Sequence, residues 1–167
     1  METGLKPNNS LGFLIKLRHA IPLLLLALWL TSCQLTPPPP PITASVSDEF
    51  ILASGQSAVI AGTDLTLKLI AVPGDERCPI EIECAASGPV TLSVSIQKGE
   101  SEPADFILQS FTDSNGRAPE GPFEGIQDRM EYEGYLIQVK GVLPYPVQSM
   151  GEVKDSEYQV SFVITAR

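Results

Sequence analysis

The feature that most constrains the fold is a strict alternation of apolar and polar residues in several short segments. Residues 90–97 read Val-Thr-Leu-Ser-Val-Ser-Ile-Gln, and residues 158–165 follow nearly the same pattern. A period of two places the apolar side chains on one face of a β-strand, so we expect half-buried antiparallel strands. Further segments of this kind lie at 50–53, 59–61, 65–69, 106–111 and 135–140.

Proline and glycine separate these segments. The chain has 15 Pro and 13 Gly in 167 residues, and no segment shows the 3.6-residue period of an amphipathic helix. About seven short strands in residues 48–167 predict an all-β domain with an Ig-like sandwich of two antiparallel sheets. A small β-barrel is the alternative architecture.

The first 32 residues have the pattern of a secretory signal. Lys6, Lys16 and Arg18 precede an apolar stretch at 21–30. The uncharged stretch around it is shorter than the roughly 20 residues that a membrane-spanning helix needs. We therefore expect a cleaved signal peptide at 1–32, with a short uncleaved anchor as the alternative.

The end of this segment, Leu30-Thr31-Ser32-Cys33, resembles the lipobox of bacterial lipoproteins. In that family the Cys thiol receives a diacylglyceryl group, the chain is cleaved just before the Cys, and the new amine is usually acylated. The resemblance implies that acyl chains on Cys33 hold the protein to a membrane of the cell envelope, with the domain on the extracytoplasmic side. An ordinary secretory cleavage that leaves Cys33 unmodified is the alternative.

Residues 33–47 are expected to form a Pro-rich tether. Five consecutive prolines at 37–41 favour a polyproline II rod of about 15 Å, at about 3.1 Å per residue. The predicted organisation is therefore a signal at 1–32, a tether at 33–47 and a β-sandwich at 48–167, which the tether holds away from the lipid.

The two remaining cysteines, Cys78 and Cys84, are expected to form a local disulfide. Two thiols six positions apart in an oxidising compartment favour a structural bridge. A redox pair is the alternative, although such pairs typically use the closer Cys-x-x-Cys spacing. A metal site is less favoured, because two thiolates would need two further ligands.

Charge and histidine content exclude several functions. The net charge of −9 leaves no basic face for nucleic acid. The one histidine, His19, lies in the predicted signal, so the mature chain lacks Ser-His-Asp catalysis, Cys-His catalysis and His-ligated zinc. We predict no catalytic residue, no metal and no cofactor.

Acidic residues are the remaining candidates for chemistry. Paired carboxylates can hydrolyse glycosides or bind calcium. The sequence has two groups of acidic residues, and we expect the side chains of both groups to lie on the surface in contact with solvent. The sequence Asp113-Ser114-Asn115-Gly116 is expected to be a turn with Asn-Gly at its tip. The two acidic groups are Asp75, Glu76, Glu81 and Glu83, and Asp128, Glu131 and Glu133.

The best candidates for binding a partner are aromatic residues and an arginine near a long loop predicted at 112–127. Tyr and Arg bury a large area while keeping a polar end. The predicted binding residues are Phe123, Arg129, Tyr132 and Tyr145, whereas Tyr135 is expected to pack in the domain.

The sequence Asp75-Glu76-Arg77-Cys78-Pro79, followed by Cys84 and Gly88-Pro89-Val90, resembles a family of small bacterial secreted or lipid-anchored β-domains. The family pattern is Asp-x-Arg-Cys-Pro-x4-Cys, and it usually has Trp where this chain has Ala86. The family has no assigned biochemical activity, so the resemblance implies only a β-fold and an envelope location.

These observations predict a lipid-anchored protein of the cell envelope that acts as a non-catalytic binding or interaction module. Its expected partners are the membrane, through Cys33, and an envelope protein. A carboxylate-based hydrolase is the alternative function. A glycan ligand is disfavoured, because the single Trp, Trp29, lies in the predicted signal.

Overall fold

A computed structural model of the chain describes residues 37–147 and 153–167, so the predicted signal and Cys33 lie outside the described residues. The described chain is built from β-strands, with one 3₁₀ turn at Asp155–Glu157. The strands are β1 (Ile42–Ala44), β2 (Glu49–Ala53), β3 (Ser57–Ile60), β4 (Leu65–Asp75), β5 (Val90–Lys98), β6 (Ala104–Ser110), β7 (Arg129–Tyr132), β8 (Tyr135–Leu143) and β9 (Gln159–Ala166).

The strands form two sheets, which confirms the predicted all-β sandwich. One sheet has five strands in the order β1-β3-β4-β5-β6, and the other has four in the order β2-β9-β8-β7. All neighbouring strands are antiparallel except β1 and β3, which run parallel. The described residues contain no helix long and apolar enough to cross a membrane.

The core lies between the two sheets and is made by the alternating apolar residues. In β5, Val90, Leu92, Val94 and Ile96 are fully buried, while the intervening Thr and Ser side chains lie on the outer face. The buried residues of β9 face them from the other sheet and complete a single cluster. At about 25 cal/mol per Å² of apolar surface removed from water, this burial is the main stabilising term of the fold.

The structure has nine strands rather than about seven, because two short strands lack a strong sequence signal. Strand β7 pairs with β8 through the two-residue turn Glu133-Gly134, in which both residues have positive φ. Such turns favour Asn-Gly or Asp-Gly, so a Glu in the first position conceals the hairpin.

The other additional strand, β1, lies inside the segment predicted as a tether. Ala44 is buried, and the side-chain amide of Gln56 donates a hydrogen bond to the carbonyl of Pro40 at 2.8 Å. The folded domain therefore begins before the predicted boundary at Asp48. Pairing with β3 supplies hydrogen-bond partners for the backbone of β1, because three extended residues cannot form these hydrogen bonds among themselves.

Strand β4 is longer than the segment predicted at 65–69 and continues to Asp75, with register shifts after Leu69 and Ala71. The long β4 carries the chain to one end of the sandwich, where the 76–89 connection, the 112–127 loop and the segment after β8 come together. The Gly55-Gln56 turn and the entering prolines lie toward the same end. We call this the loop end of the sandwich.

Candidate functional site

The predicted disulfide is present and closes a short loop at the loop end. Cys78 and Cys84 are bonded, with their Cα atoms 5.9 Å apart. Inside the loop, the N–H of Ile82 donates to the carbonyl of Pro79 and makes a tight turn. We call residues 78–84 the disulfide loop.

Beneath the disulfide loop lies a fully buried arginine, Arg77. Its guanidinium forms a two-point ion pair with the carboxylate of Asp75, at 2.8 Å from Nε and 2.6 Å from Nη2. The remaining N–H groups donate to the carbonyls of Val142 and Pro144 and to the hydroxyl of Thr112. All five donors of the guanidinium therefore have acceptors, which is the condition for burying such a charge.

Two tyrosines complete the surroundings of this ion pair. The Tyr145 ring lies over the guanidinium of Arg77, 4.8 Å from Cζ to the ring centroid, in a cation–π arrangement. The Tyr158 hydroxyl donates to Asp75 Oδ2 at 2.9 Å. We call Asp75, Arg77, Tyr145 and Tyr158 the arginine cluster, and through it β4, β8 and the start of β9 are tied together.

The arginine cluster sets the protonation of its members. Burial by itself raises the pKa of the Asp75 carboxyl, but the hydrogen bonds and charge of Arg77 outweigh burial, so the pKa is held below its usual range. Burial is the largest cause that raises the pKa of the Tyr158 hydroxyl, and the hydrogen bond to the Asp75 carboxylate and its charge raise this pKa further. At neutral pH Asp75 is therefore ionised and Tyr158 is a hydrogen-bond donor.

The lowered pKa of Asp75 predicts an acid-sensitive fold. A carboxyl with a depressed folded-state pKa adds stability above its unfolded pKa of about 3.9, and that stability is lost as the pH falls toward the folded value. We expect the free energy of unfolding to fall on acidification from about pH 5. The Asp75→Asn variant should show a shallower fall in urea denaturation at each pH. An unchanged acid slope in this variant would contradict the assignment.

The disulfide loop is also held by hydrogen bonds to the segment after β8 and to Ser87. The N–H groups of Ile80 and Glu81 donate to the carbonyls of Pro146 and Val147 at 3.1 and 3.0 Å. The N–H of Cys78 donates a hydrogen bond to the hydroxyl oxygen of Ser87 at 3.0 Å. The backbone of the loop is thus fixed by hydrogen bonds as well as by the disulfide.

This fixed loop exposes aliphatic side chains. Ile80 is 60% exposed, Ile82 is 46% exposed, and the adjacent Val147 is 50% exposed. Glu81 and Glu83 are exposed between and beside the two isoleucines. The result is a rigid surface that combines apolar and acidic groups, which we call the loop surface.

Removing the disulfide should weaken the fold by a measurable amount. Closing a loop of about seven residues is worth about 2 kcal/mol in the chain-entropy model. We expect the double variant Cys78→Ser, Cys84→Ser to lose about this much free energy of unfolding in urea denaturation. Wild type treated with reductant should lose the same amount. A variant as stable as the oxidised wild type would show that the bridge adds nothing.

The four predicted binding residues make contacts with four different partners. Tyr145 stacks on Arg77, and Tyr132 packs edge-to-face on Phe106 with centroids 6.3 Å apart. Tyr132 is also among the partly buried residues packed against the core. These contacts give both tyrosines a role inside the domain.

The other two predicted binding residues lie nearer the long loop. Phe123 is partly exposed and packs edge-to-face on Phe111, with centroids 5.5 Å apart. Phe111 also lines an open depression of about 400 Å³, together with residues 112, 113 and 117–119. Arg129 is paired with the adjacent Asp128 at 2.8 Å.

The expectation of a solvated surface for the acidic groups is wrong for two residues. The Asp75 side chain is only 7% exposed, and Asp128 is buried against Arg129. Both carboxylates can leave water because an arginine fork pairs with them, and the sequence does not show that pairing in advance. Glu131 and Glu133 are exposed and form ion pairs with Arg167 and Lys98; Glu76, Glu81 and Glu83 are exposed.

The predicted Asn-Gly turn is present and uses the Asp113 carboxylate. Asp113 Oδ1 accepts hydrogen bonds from the N–H groups of Asn115 and Arg117, and these bonds lower the pKa of Asp113. Gly116 has a φ of +76°, and a Cβ there would lie 2.6 Å from the carbonyl of Val142. Within the described residues no group of three or more metal-ligating side chains is present.

Sequence reasoning missed Arg77, Ile80 and Ile82 as site residues. In the sequence, Arg77 is marked only by its place in the motif around Cys78, since the predicted strand ends at residue 69 and does not reach it. The exposure of the isoleucines had no sequence signal, because Ile is ordinarily a core residue. In the structure, the loop that carries them is hydrogen-bonded to residues 146–147 and both side chains are exposed.

Comparison of the chain with protein-family models, with curated proteins and with solved structures finds no match. The resemblance of the 75–90 motif to a lipoprotein family therefore stays a prediction.

Proposed function

We propose that this protein is a lipid-anchored, non-catalytic binding module of the cell envelope and that the loop surface is its binding site. The observation that carries the proposal is the exposure of Ile80 and Ile82 on a loop held by a disulfide, by hydrogen bonds to residues 146–147 and by the arginine cluster. The buried core of a protein interface is more apolar than its rim, so exposed aliphatic groups on a fixed backbone are suited to such a core.

The rigidity of the loop supports this function energetically. A flexible loop loses conformational entropy when it binds, and that cost reduces the affinity. In the disulfide loop the bridge, the Pro79–Ile82 turn and the bonds to residues 146–147 have already restricted the backbone. Burial of the two isoleucines against a partner would then appear largely as binding free energy.

The position of the loop surface also supports a function close to the membrane. The chain enters the domain at the loop end, where Pro40 is hydrogen-bonded to Gln56. From Cys33 to Pro38 the chain advances five residues, which span at most about 18 Å when fully extended. A lipid on Cys33 would therefore lie within about this distance of the start of the domain, so the tether is shorter than the 33–47 segment expected from the sequence.

Site-specific photo-crosslinking tests the proposal. The full-length protein is expressed in its native envelope with a photoreactive amino acid at position 82 or, as a control, at position 107. Ile107 is 54% exposed on β6, so it matches Ile82 in type and exposure. We expect a discrete adduct from position 82 that position 107 does not give and that Ile80→Ser weakens. Equal adducts from both positions, or none from position 82, would overturn the proposed binding site.

A further inference from the structure

We infer that the partner of the loop surface is a basic polypeptide segment that presents Lys or Arg side chains beside apolar ones. The inference rests on the proposed function and adds the chemistry of the partner. It is carried by the charges around the disulfide loop.

Within the part of the chain that the structure describes, the loop surface carries exposed carboxylates and no exposed basic side chain. The two segments that form it, residues 76–89 and 141–147, contain one basic residue, Arg77, which is fully buried and paired with Asp75. The exposed charged groups of these segments are the carboxylates of Glu76, Glu81 and Glu83. The charged side chains that these two segments expose are therefore all negative.

These carboxylates differ from several acidic groups elsewhere on the domain. Glu49, Glu131 and Glu133 are each in an ion pair with a basic side chain. Among the described residues, Glu76, Glu81 and Glu83 have no cation within ion-pair distance. A cationic partner would therefore supply the first close positive charges at the loop surface.

The exposed isoleucines further restrict the chemical class of the partner. A purely ionic ligand would leave Ile80 and Ile82 in water, and their burial is the larger source of free energy at an interface. The apolar side chains of a partner must therefore reach the isoleucines while its basic side chains reach Glu81 and Glu83. A segment with both kinds of side chain meets this requirement.

The same charges argue against two other occupants. Anionic lipid headgroups would be repelled by the glutamates within a Debye length of about 8 Å. A second copy of this chain placed on the loop surface would bring like charges together. A basic polypeptide is the occupant to which both the charge and the apolar groups are complementary.

A binding experiment with the full-length protein in zwitterionic lipid nanodiscs tests the inference. The probe is a short synthetic peptide of alternating Lys and Leu, compared with peptides of alternating Glu and Leu and of alternating Lys and Ser. We expect the Lys-Leu peptide to bind at least about tenfold more tightly than either comparison peptide, and its affinity to fall with added salt. Empty nanodiscs provide the background.

Matched variants locate the binding. Glu81→Gln with Glu83→Gln, and Ile80→Ser with Ile82→Ser, should each weaken binding of the Lys-Leu peptide by about tenfold. The controls are Glu100→Gln with Glu102→Gln, and Ile107→Ser, which change exposed residues at and near the β5–β6 connection. These controls should change the affinity less than about twofold. Equal losses in loop and control variants would overturn the inference.

The outcomes separate this inference from the proposed function. An adduct at position 82 whose yield is unchanged by Glu81→Gln with Glu83→Gln means that the loop surface binds a partner that is not basic, so only the inference fails. If position 82 gives no adduct in the protein without these Gln substitutions, the proposed binding site fails. Flotation of Cys33→Ala protein with anionic vesicles that depends on Ile80 and Ile82 would identify lipid as the occupant and overturn the inference.

Discussion

Replacing Arg77 by alanine is expected to lower the free energy of unfolding by about 3–5 kcal/mol. The substitution leaves the buried carboxylate of Asp75 without its counter-ion, and it removes the donors to the carbonyls of Val142 and Pro144. A buried charge that loses its partner costs far more than a surface pair. Urea denaturation monitored by circular dichroism measures the loss.

Two further variants make this test specific. Arg117→Ala removes another two-point ion pair, with Glu49, which lies on the exposed surface, and should cost less than about 1 kcal/mol. Arg77→Lys keeps the charge but loses the planar fork, so its stability should lie between those of wild type and Arg77→Ala. If Arg77→Ala does not fold, the Lys variant still gives a value. An Arg77→Ala loss no larger than that of Arg117→Ala, or an Arg77→Lys variant as stable as wild type, would contradict the role of the buried pair.

Cys33→Ala is expected to move the protein out of the membrane fraction or to leave it unprocessed. Each buried CH₂ of an acyl chain contributes about 0.8 kcal/mol, and two or three chains hold a protein stably where one does not. Without the thiol no diacylglyceryl group can be attached. Fractionation of cells expressing the full-length variant, with mass spectrometry of the N-terminal peptide, measures the change.

The matched control is a conservative change in the same segment away from the thiol. Ser32→Ala keeps a small residue before Cys33, so this variant should be acylated and found in the membrane fraction, as wild type is expected to be. Cys33→Ala protein that is processed normally and stays membrane-bound would show that the anchor lies elsewhere. That result would leave the loop surface as a binding site but would remove its proposed closeness to the bilayer.

The alternation of residues was sufficient to predict the sandwich, because burial of one face of each strand is a local property. Val90 to Ile96 in β5 and Val160 to Ile164 in β9 show in sequence the same faces that the structure buries. Strand β7 was not predicted because it is short and because its turn, Glu133-Gly134, has Glu where such turns usually have Asn or Asp. The period of the pattern therefore determines the fold class, while the shortest strands depend on their neighbours.

The disulfide was predictable from the spacing of Cys78 and Cys84, since two close thiols in an oxidising compartment favour a local bridge. The structural role of Arg77, the residue next to Cys78, was not predictable from the sequence. Arg77 is buried because Asp75 lies two residues before it and because β8 and the segment after it bring carbonyl groups from 65 and 67 residues away. No local pattern carries that information.

The sequence by itself was therefore sufficient for the all-β sandwich and the position of the disulfide, whereas the lipid anchor at Cys33 stays a prediction. The tertiary structure alone decided which charges are buried and which apolar groups are exposed. The Tyr145 ring packs over the guanidinium of Arg77, while the side chains of Ile80 and Ile82 are exposed to solvent. The physical reason is that strand formation and short-range bridging depend on neighbouring residues, whereas burial depends on which distant segments meet at the loop end.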